Sequence, residues 1–449
     1  MGTPRRTLLV GAAASAFLTG MAAPAAAAHT TKTRPRNPDR VIAGWIDRTA
    51  HPLASLDPVD PVGDLHPLRD IMGRATVAGL GESTHGSREQ FQVKHRMARF
   101  LVEKLGFRTI GLEHDFAQGT LIDRYVVTGE GDPRALVHGM SFPFWVCQEM
   151  LDLIQWMRAY NQAHHDKVRF LGTDIIALRD LSFDTVEGYV HRVAPDQVAE
   201  LKGLLAPLRP TGPGHTYWYQ KRLTESQRRQ LIATARRMSR LVQAAPATAP
   251  RLDREYAEQH ARAIVGWYEA FNNVDFAPER ELFVADAIGW WQRVIGGKVA
   301  YWAANVHVTS AEAISYRHPD GGWTGQTAGG FLKQRLGRRY VAIGSVFGQG
   351  TISSNYQSLG TYPIGAPPPG LLDATLGAAR TPNYLLDLHT PAPDPIRAWC
   401  TGPISKRMIL PSYNEGNDGA GYIMSVESLH DAFDALLYVR TTTATGLFT

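Results

Sequence analysis

Two cysteines, Cys147 and Cys400, are all that this chain of 449 residues contains. That excludes a disulfide framework, and without a Cys-x-x-Cys pair there is no structural zinc site of the usual spacing. Two free, buried thiols are the expectation. A charge excess is also missing: 47 Lys and Arg against 42 Asp and Glu leave a net of +5, too little to argue for a nucleic-acid partner. Beyond the N-terminus no apolar run is long enough to cross a bilayer. Neither a His-Glu-x-x-His helix nor a phosphate-binding P-loop occurs. Two other motifs are begun and not completed. Gly79-Leu-Gly-Glu-Ser-Thr84 starts like a dinucleotide loop but lacks its third glycine, and Glu82 would repel a pyrophosphate. Gly81-Glu-Ser-Thr-His85 starts like a serine nucleophile elbow but lacks the closing glycine, which leaves Ser83 a poor nucleophile.

What is present begins with an export signal. Arg5-Arg6 precede an apolar stretch to about Met21, and Pro24-Ala-Ala-Ala-Ala28 offers small residues for cleavage. Residues 1–28 are therefore read as a twin-arginine signal peptide, with a secreted product and no stable membrane insertion after its removal. Losing Arg5 and Arg6 lowers the net charge from +5 to +3. The segment 29–40, with Lys32-Thr-Arg-Pro-Arg-Asn-Pro-Asp-Arg40, reads as a solvated basic linker.

Residues 41–449 alternate short apolar runs with helical patterns. The runs Thr76–Leu80, Thr109–Leu112, Val168–Leu171, Val299–Ala303, Tyr340–Val346 and Ala435–Val439 predict an α/β fold with a largely parallel sheet flanked by helices. Ser87 and Gln90 have capping-box spacing; Val93, Met97, Phe100, Leu101 and Leu105 then share a face before Gly106. Gln148–Asn161 is a second helix, with Met150, Leu151, Ile154, Met157 and Ala159 on its apolar stripe. From about 178 to 291 the pattern turns helical and polar, as for an insertion over the C-terminal edge of the strands. Within it, Pro210–Tyr219 reads as a flexible loop whose aromatics, Trp218 among them, either line an apolar pocket or pin the loop to the body. The Pro-rich stretch 363–395 reads as a surface excursion.

The strand ends carry the chemistry. The first reaches Glu82 and His85, the second Glu113, His114 and Asp115, the third Asp174, the fourth Asn305 and His307. Open α/β sheets bind ligands at this edge. Without a convincing Ser or Cys nucleophile, the natural mechanism is water activation by an imidazole held by a carboxylate. Arg88, Lys94 and Arg96 are candidate cations for the resulting oxyanion.

Together these segments resemble the erythromycin esterase family. Gly81-Glu-Ser-Thr-His-Gly86, with Arg88-Glu89 and Lys94-His-Arg96, is similar to that family's G-E-x-x-H-G signature and helix; Phe144-Trp145, Val168–Asp174 and Tyr301–Val308 resemble further segments. The resemblance implies hydrolysis of an ester or macrolactone. It implies His85 as general base, Glu82 and Glu113 as site carboxylates, Lys94 at a basic position and His307 as the second His of an H-N-x-H pair. Trp145, Arg88, Lys94, Asn305 and Trp218 are the expected substrate-binding residues. The chain departs from the pattern at Ala304, where the pair's first His stands, and at Arg280-Glu-Leu-Phe-Val-Ala-Asp-Ala287, where a helical Asn is lost. A small-molecule ester or lactone is the expected partner, and no cofactor is required. Two other readings stay open: a divalent metal held by Glu82, His85, Glu113 and His307, and a non-catalytic binder of apolar ligands.

Overall fold

The computed structural model describes residues 38–212, 214–272, 278–354, 359–410, 412–413 and 421–448. The chain divides into two units, 1–37 and Pro38–Thr449. The signal peptide and most of the expected linker, together with Pro213 of the aromatic loop, lie outside the described residues. The linker's last residues do not: Pro38–Thr49 is a helix, so residues 38–40 belong to the folded unit.

All six apolar runs are strands. With one further strand they form the body of a nine-stranded sheet: β1 (Val77–Leu80), β2 (Phe107–Asp115), β3 (Arg169–Asp174), β4 (Lys298–Trp302), β5 (Tyr340–Ser354), β6 (Asn383–Asp387) and β7 (Ala435–Thr442). The order across the sheet is β6-β7-β5-β1-β4-β2-β3, with β7 through β3 parallel and β6 antiparallel to β7. The short His51–Pro52 strand closes the β6 edge, and Gly360–Ile364 pairs back on the far half of β5. From β1 the chain steps outward to β2 and β3, returns to insert β4, then leaves in the opposite direction through β5. The reversal at β1 and β4 makes a topological switch point, where such sheets open a crevice.

The helices follow from their stripes and caps. The helix α1 (Arg88–Leu105) buries Val93, Met97, Phe100 and Leu101, accepts Gln90 N–H on Ser87 Oγ at 3.2 Å, and ends at Gly106 with φ 72°. The capping box is only half made, because the Gln90 side chain is drawn elsewhere. The helix α2 (Gln148–Ala163) buries Met150, Leu151, Ile154 and Met157; Ala159 faces solvent, and Leu153 and Tyr160 complete the stripe instead.

The insertion is a helical block from Asp180 to Val294 with its own core around Tyr189, Tyr219, Met238 and Trp267. The aromatic segment is no loop: His215–Arg222 is a helix, and Tyr219 Oη donates to Tyr268 O at 2.7 Å. His215 and Tyr219 pin it to the block, while Tyr217 and Trp218 are exposed. The Pro-rich stretch is likewise more than surface, since β6 within it is paired on both sides. Four antiparallel strands, Ile404–Arg407, Ile423–Val426, Ile314–His318 and Gly321–Gly325 in spatial order, form a second sheet that the sequence pattern did not reveal. Cys147 and Cys400 are both free and buried, as expected.

Candidate active site

The strand β1 is buried along its whole length, so the chain leaves it at a tightly packed corner. A Cβ on Gly81 would lie 2.2 Å from Asn305 Oδ1, and one on Gly86 1.7 Å from Ser353 O, so only glycine lets the corner lie this close to its neighbours. Ser83 is locked between them. Its N–H donates to Gln90 Oε1 at 2.9 Å, the bond that costs α1 its second cap, and its carbonyl accepts from Ile409 N at 2.8 Å. Its hydroxyl donates to Ser345 O and accepts from Asn305 Nδ2 at 3.2 Å and Lys406 Nζ at 2.9 Å. Ser83 is wholly buried, which removes it as a nucleophile.

This packing presents His85. Its Nδ1 lies 2.6 Å from Glu82 Oε1. A carboxylate only accepts, so Nδ1 carries the proton and Nε2 keeps its lone pair. Among the described residues Nε2 has no hydrogen-bond partner, and it is not sealed from solvent. Phe144 stacks on the imidazole at 4.6 Å with an 8° interplanar angle, and Trp145 meets it edge-on at 5.1 Å. The ring is thus held in one plane. Glu82 is held in turn: its Oε2 accepts from Lys94 Nζ and, at 3.0 Å, from Trp302 Nε1. Burial alone would raise the Glu82 carboxyl, but Lys94 and His85 override it and keep it below the usual range. Burial pulls the Lys94 ammonium down to about 8 against the opposing pull of Glu82.

A second array lies beside the first. Glu113, from the end of β2, accepts from Ala304 N–H on Oε2 at 2.9 Å. Its Oε1 meets His307 Nε2 at 3.2 Å and Arg280 Nη2 at 3.3 Å. The other nitrogen of His307 lies 2.8 Å from Glu281 Oε1. Arg280 and Glu281 come from the first turn of α3 (Pro278–Val294), and Arg280 forks onto Asp174 through Nε at 3.0 Å and Nη2 at 2.6 Å. Burial would lower the His307 imidazolium, yet the two carboxylates push it up to about 10. It is a fixed cation at neutral pH and not the base. Glu113 and Glu281, which burial would raise, are held below the usual range chiefly by that cation. Among the described residues, Glu82, Glu113, Glu281 and Asp174 are paired with the cations Lys94, His307 and Arg280, and Glu82 also with His85.

The sequence-predicted residues divide accordingly. Glu82 and His85 meet directly, as do Glu113 and His307. Lys94, Asn305 and Trp145 are buried and spent on Glu82, on Ser83 with Ser345, and on the His85 ring, so none is open to a substrate. Arg88 is half exposed but paired with Glu149 at 3.2 Å. Trp218 packs on His215 within the insertion and reaches no site residue among the described ones. Arg96 is turned away onto Asp64. At the end of β2, Asp115 caps the next helix through Gln118 N at 2.8 Å and contacts Arg179 at 3.2 Å, while His114 is buried beside it. Asp174 serves Arg280. Arg280, Glu281, Phe144 and Trp302 were not among the candidates. An Arg-Glu pair opening a helix was visible, but ordinary surface helices carry the same pair.

The four residues considered as metal ligands do not form a ligand set. Both oxygens of Glu82 and Glu113 and both nitrogens of His307 are engaged by protein groups. No group of three or more His, Cys, Asp or Glu among the described residues is arranged to hold an ion.

A buried, carboxylate-oriented imidazole thus sits at the switch point of a doubly wound α/β sheet. The chain belongs to the erythromycin esterase family, whose sequence model matches residues 102–442. The match takes in Glu113, Arg280, Glu281 and His307 and begins after the His85 corner. Erythromycin esterase type II of Escherichia coli is 34% identical over 131 residues, which are 29% of this chain and 31% of that protein. The chain thus spans about a third of that relative's length. A solved succinoglycan biosynthesis protein is 28% identical with a TM-score of 0.79, covering 92% of this chain and all of the other. A mutant erythromycin esterase in its open conformation shares the fold, with a TM-score of 0.68 at 18% identity, covering 87% of this chain and 97% of that one. No helix among the described residues is long and apolar enough to cross a membrane.

Proposed function

We propose that this protein is an exported carboxylic ester hydrolase that cleaves an ester or macrolactone with water activated by His85. The observation that carries the reading is the polarity of the imidazole: Nδ1 is tied to Glu82 at 2.6 Å and Nε2 is left unpartnered among the described residues. A water at Nε2 gives up a proton as its oxygen attacks the carbonyl carbon. The tetrahedral oxyanion then collapses, the acyl C–O bond breaks, and the leaving alkoxide takes the proton back from His85. One acid and one alcohol form per water consumed. Glu82 steadies the imidazolium, Lys94 keeps Glu82 ionised, and the Phe144 and Trp145 rings limit water around the base. The likeness to an esterase over part of the chain supports this class, and Ala304 in place of an imidazole leaves the preferred acyl partner to experiment.

The test is a panel of macrolides, lactones and aryl esters, read by mass spectrometry in ¹⁸O-water. A responsive substrate gains one water, with the label in the carboxylate. Binding without any product across the panel favours the non-catalytic reading. Turnover is expected to survive a chelator; loss that zinc restores favours the metal-dependent one. Culture medium holding the protein cut near Ala28 is the expected sign of export, and an uncut cytoplasmic product argues against it.

A further inference from the structure

We propose that Arg280 is the catalytic electrophile of this site, its free Nη1 stabilising the oxyanion. The inference rests on the ester-hydrolase reading above and deepens it.

The water mechanism creates an oxyanion, and something must meet it. Five backbone amides around the corner are already spent. The amides of Gly81, Ala304 and Asn305 donate to Ile343 O, Glu113 and Glu82 O, and those of Ser83 and Gly86 to Gln90 and Thr84 side chains. Two of the three site cations are spent as well. Lys94 is 1% exposed, bound to Glu82 and covered by the Trp302 ring at 4.1 Å. His307 is 8% exposed, with both nitrogens on carboxylates.

Arg280 differs on each point. Its side chain is 23% exposed. Its Nε and Nη2 are committed to Asp174 and Glu113, while Nη1 has no hydrogen-bond partner among the described residues and is not sealed. The Asp174 fork fixes the guanidinium plane, so Nη1 is aimed before substrate arrives. Glu113 ties this cation to the base: it bonds Arg280 directly, and the His85 charge also acts on it. Base and electrophile thus both act on one carboxylate, Glu113. Flanked by Asp174, Glu113 and Glu281, Arg280 stays charged throughout the working range. No bond to Arg280 forms or breaks; it supplies hydrogen bonds to an oxygen that gains charge and then loses it.

The experiment compares wild type, Arg280→Lys, Arg280→Gln and His85→Ala on one ester that the panel shows to be cleaved, with kcat, KM and thermal midpoint measured for each. Arg280→Lys keeps the charge for Asp174 and removes Nη1, so it guards against loss of fold. Both Arg280 variants are expected to lower kcat by roughly 10²–10³-fold, with KM moving only a few-fold. Binding of a methylphosphonate monoester matched to the same substrate should weaken in parallel with kcat/KM, a response that a structural role would not produce. Folded Arg280→Lys with wild-type kcat, or a loss confined to KM, overturns the inference. If Arg280→Lys keeps its kcat while His85→Ala is inert, only this inference fails. If His85→Ala turns over normally, it is the hydrolase reading that falls.

Discussion

His85→Ala is expected to lower turnover of a responsive ester by roughly 10²–10⁴-fold, the usual contribution of a positioned general base. Its fold should survive. The imidazole makes one hydrogen bond, to Glu82, and Glu82 keeps Lys94 and Trp302 as partners when the ring is gone. The stability cost is that of one buried polar atom losing its partner, about 1–3 kcal/mol. Glu82→Gln is the informative companion. It removes the acceptor that sets the imidazole tautomer and leaves the Lys94 ammonium buried without its carboxylate, so it should lose activity and stability together. A stopped assay with thermal melts separates the two cases. Near-normal turnover by folded His85→Ala would dismiss this residue as the base.

His307→Gln is expected to destabilise the fold by about 3–5 kcal/mol, because it strips the shared cation from two buried carboxylates at once. Glu113 and Glu281 would be left facing each other, with only Arg280 and two backbone N–H groups for relief. The effect has a pH signature. The His307 pKa rises from an ordinary 6.5 to about 10 on folding, so the folded state holds the proton more tightly. The stability this supplies is complete below about pH 6.5 and is lost as pH climbs to about 10. Lys94, lowered to about 8, acts in the opposite sense above that pH, but in both proteins alike. Urea unfolding across pH 6–10 should therefore show the gap between wild type and variant shrinking with pH. A gap of constant size would contradict a charged, stabilising His307.

Strand positions were legible because buried parallel strands are short apolar runs with polar ends, a pattern that needs no partner to be recognised. Tyr340–Val346 and Ala435–Val439 were found this way although the residues they pair lie 92 positions apart. The strands at Ile314–His318 and Ile404–Arg407 were not found: the first is half exposed, and the second is mostly buried but carries Ser405, Lys406 and Arg407, so neither gives an apolar run. The stretch around β6 was misread because proline and glycine on either side mask five paired residues. Trp218 was misplaced for a different reason: aromatics in a helix that buries His215 and Tyr219 look, in sequence, like a pocket lining.

The candidate site was legible in the same uneven way. Glu82 and His85 are three residues apart on one corner, so their meeting at 2.6 Å is a local event that chain geometry nearly dictates. Strand-end placement also brought Glu113 and His307 to the same edge. The amino-acid sequence by itself thus determined most of the main sheet, the edge where these polar groups gather, and the contact between Glu82 and His85. Only the tertiary structure decided the roles. It sealed Lys94, Asn305 and Trp145 as supports, made His307 a fixed cation between Glu113 and Glu281, and brought Arg280 from a helix 167 positions beyond Glu113. The physical reason is that residue type sets what a group can do, while burial and the charges around it, drawn from distant segments, set its protonation and which of its atoms remain free.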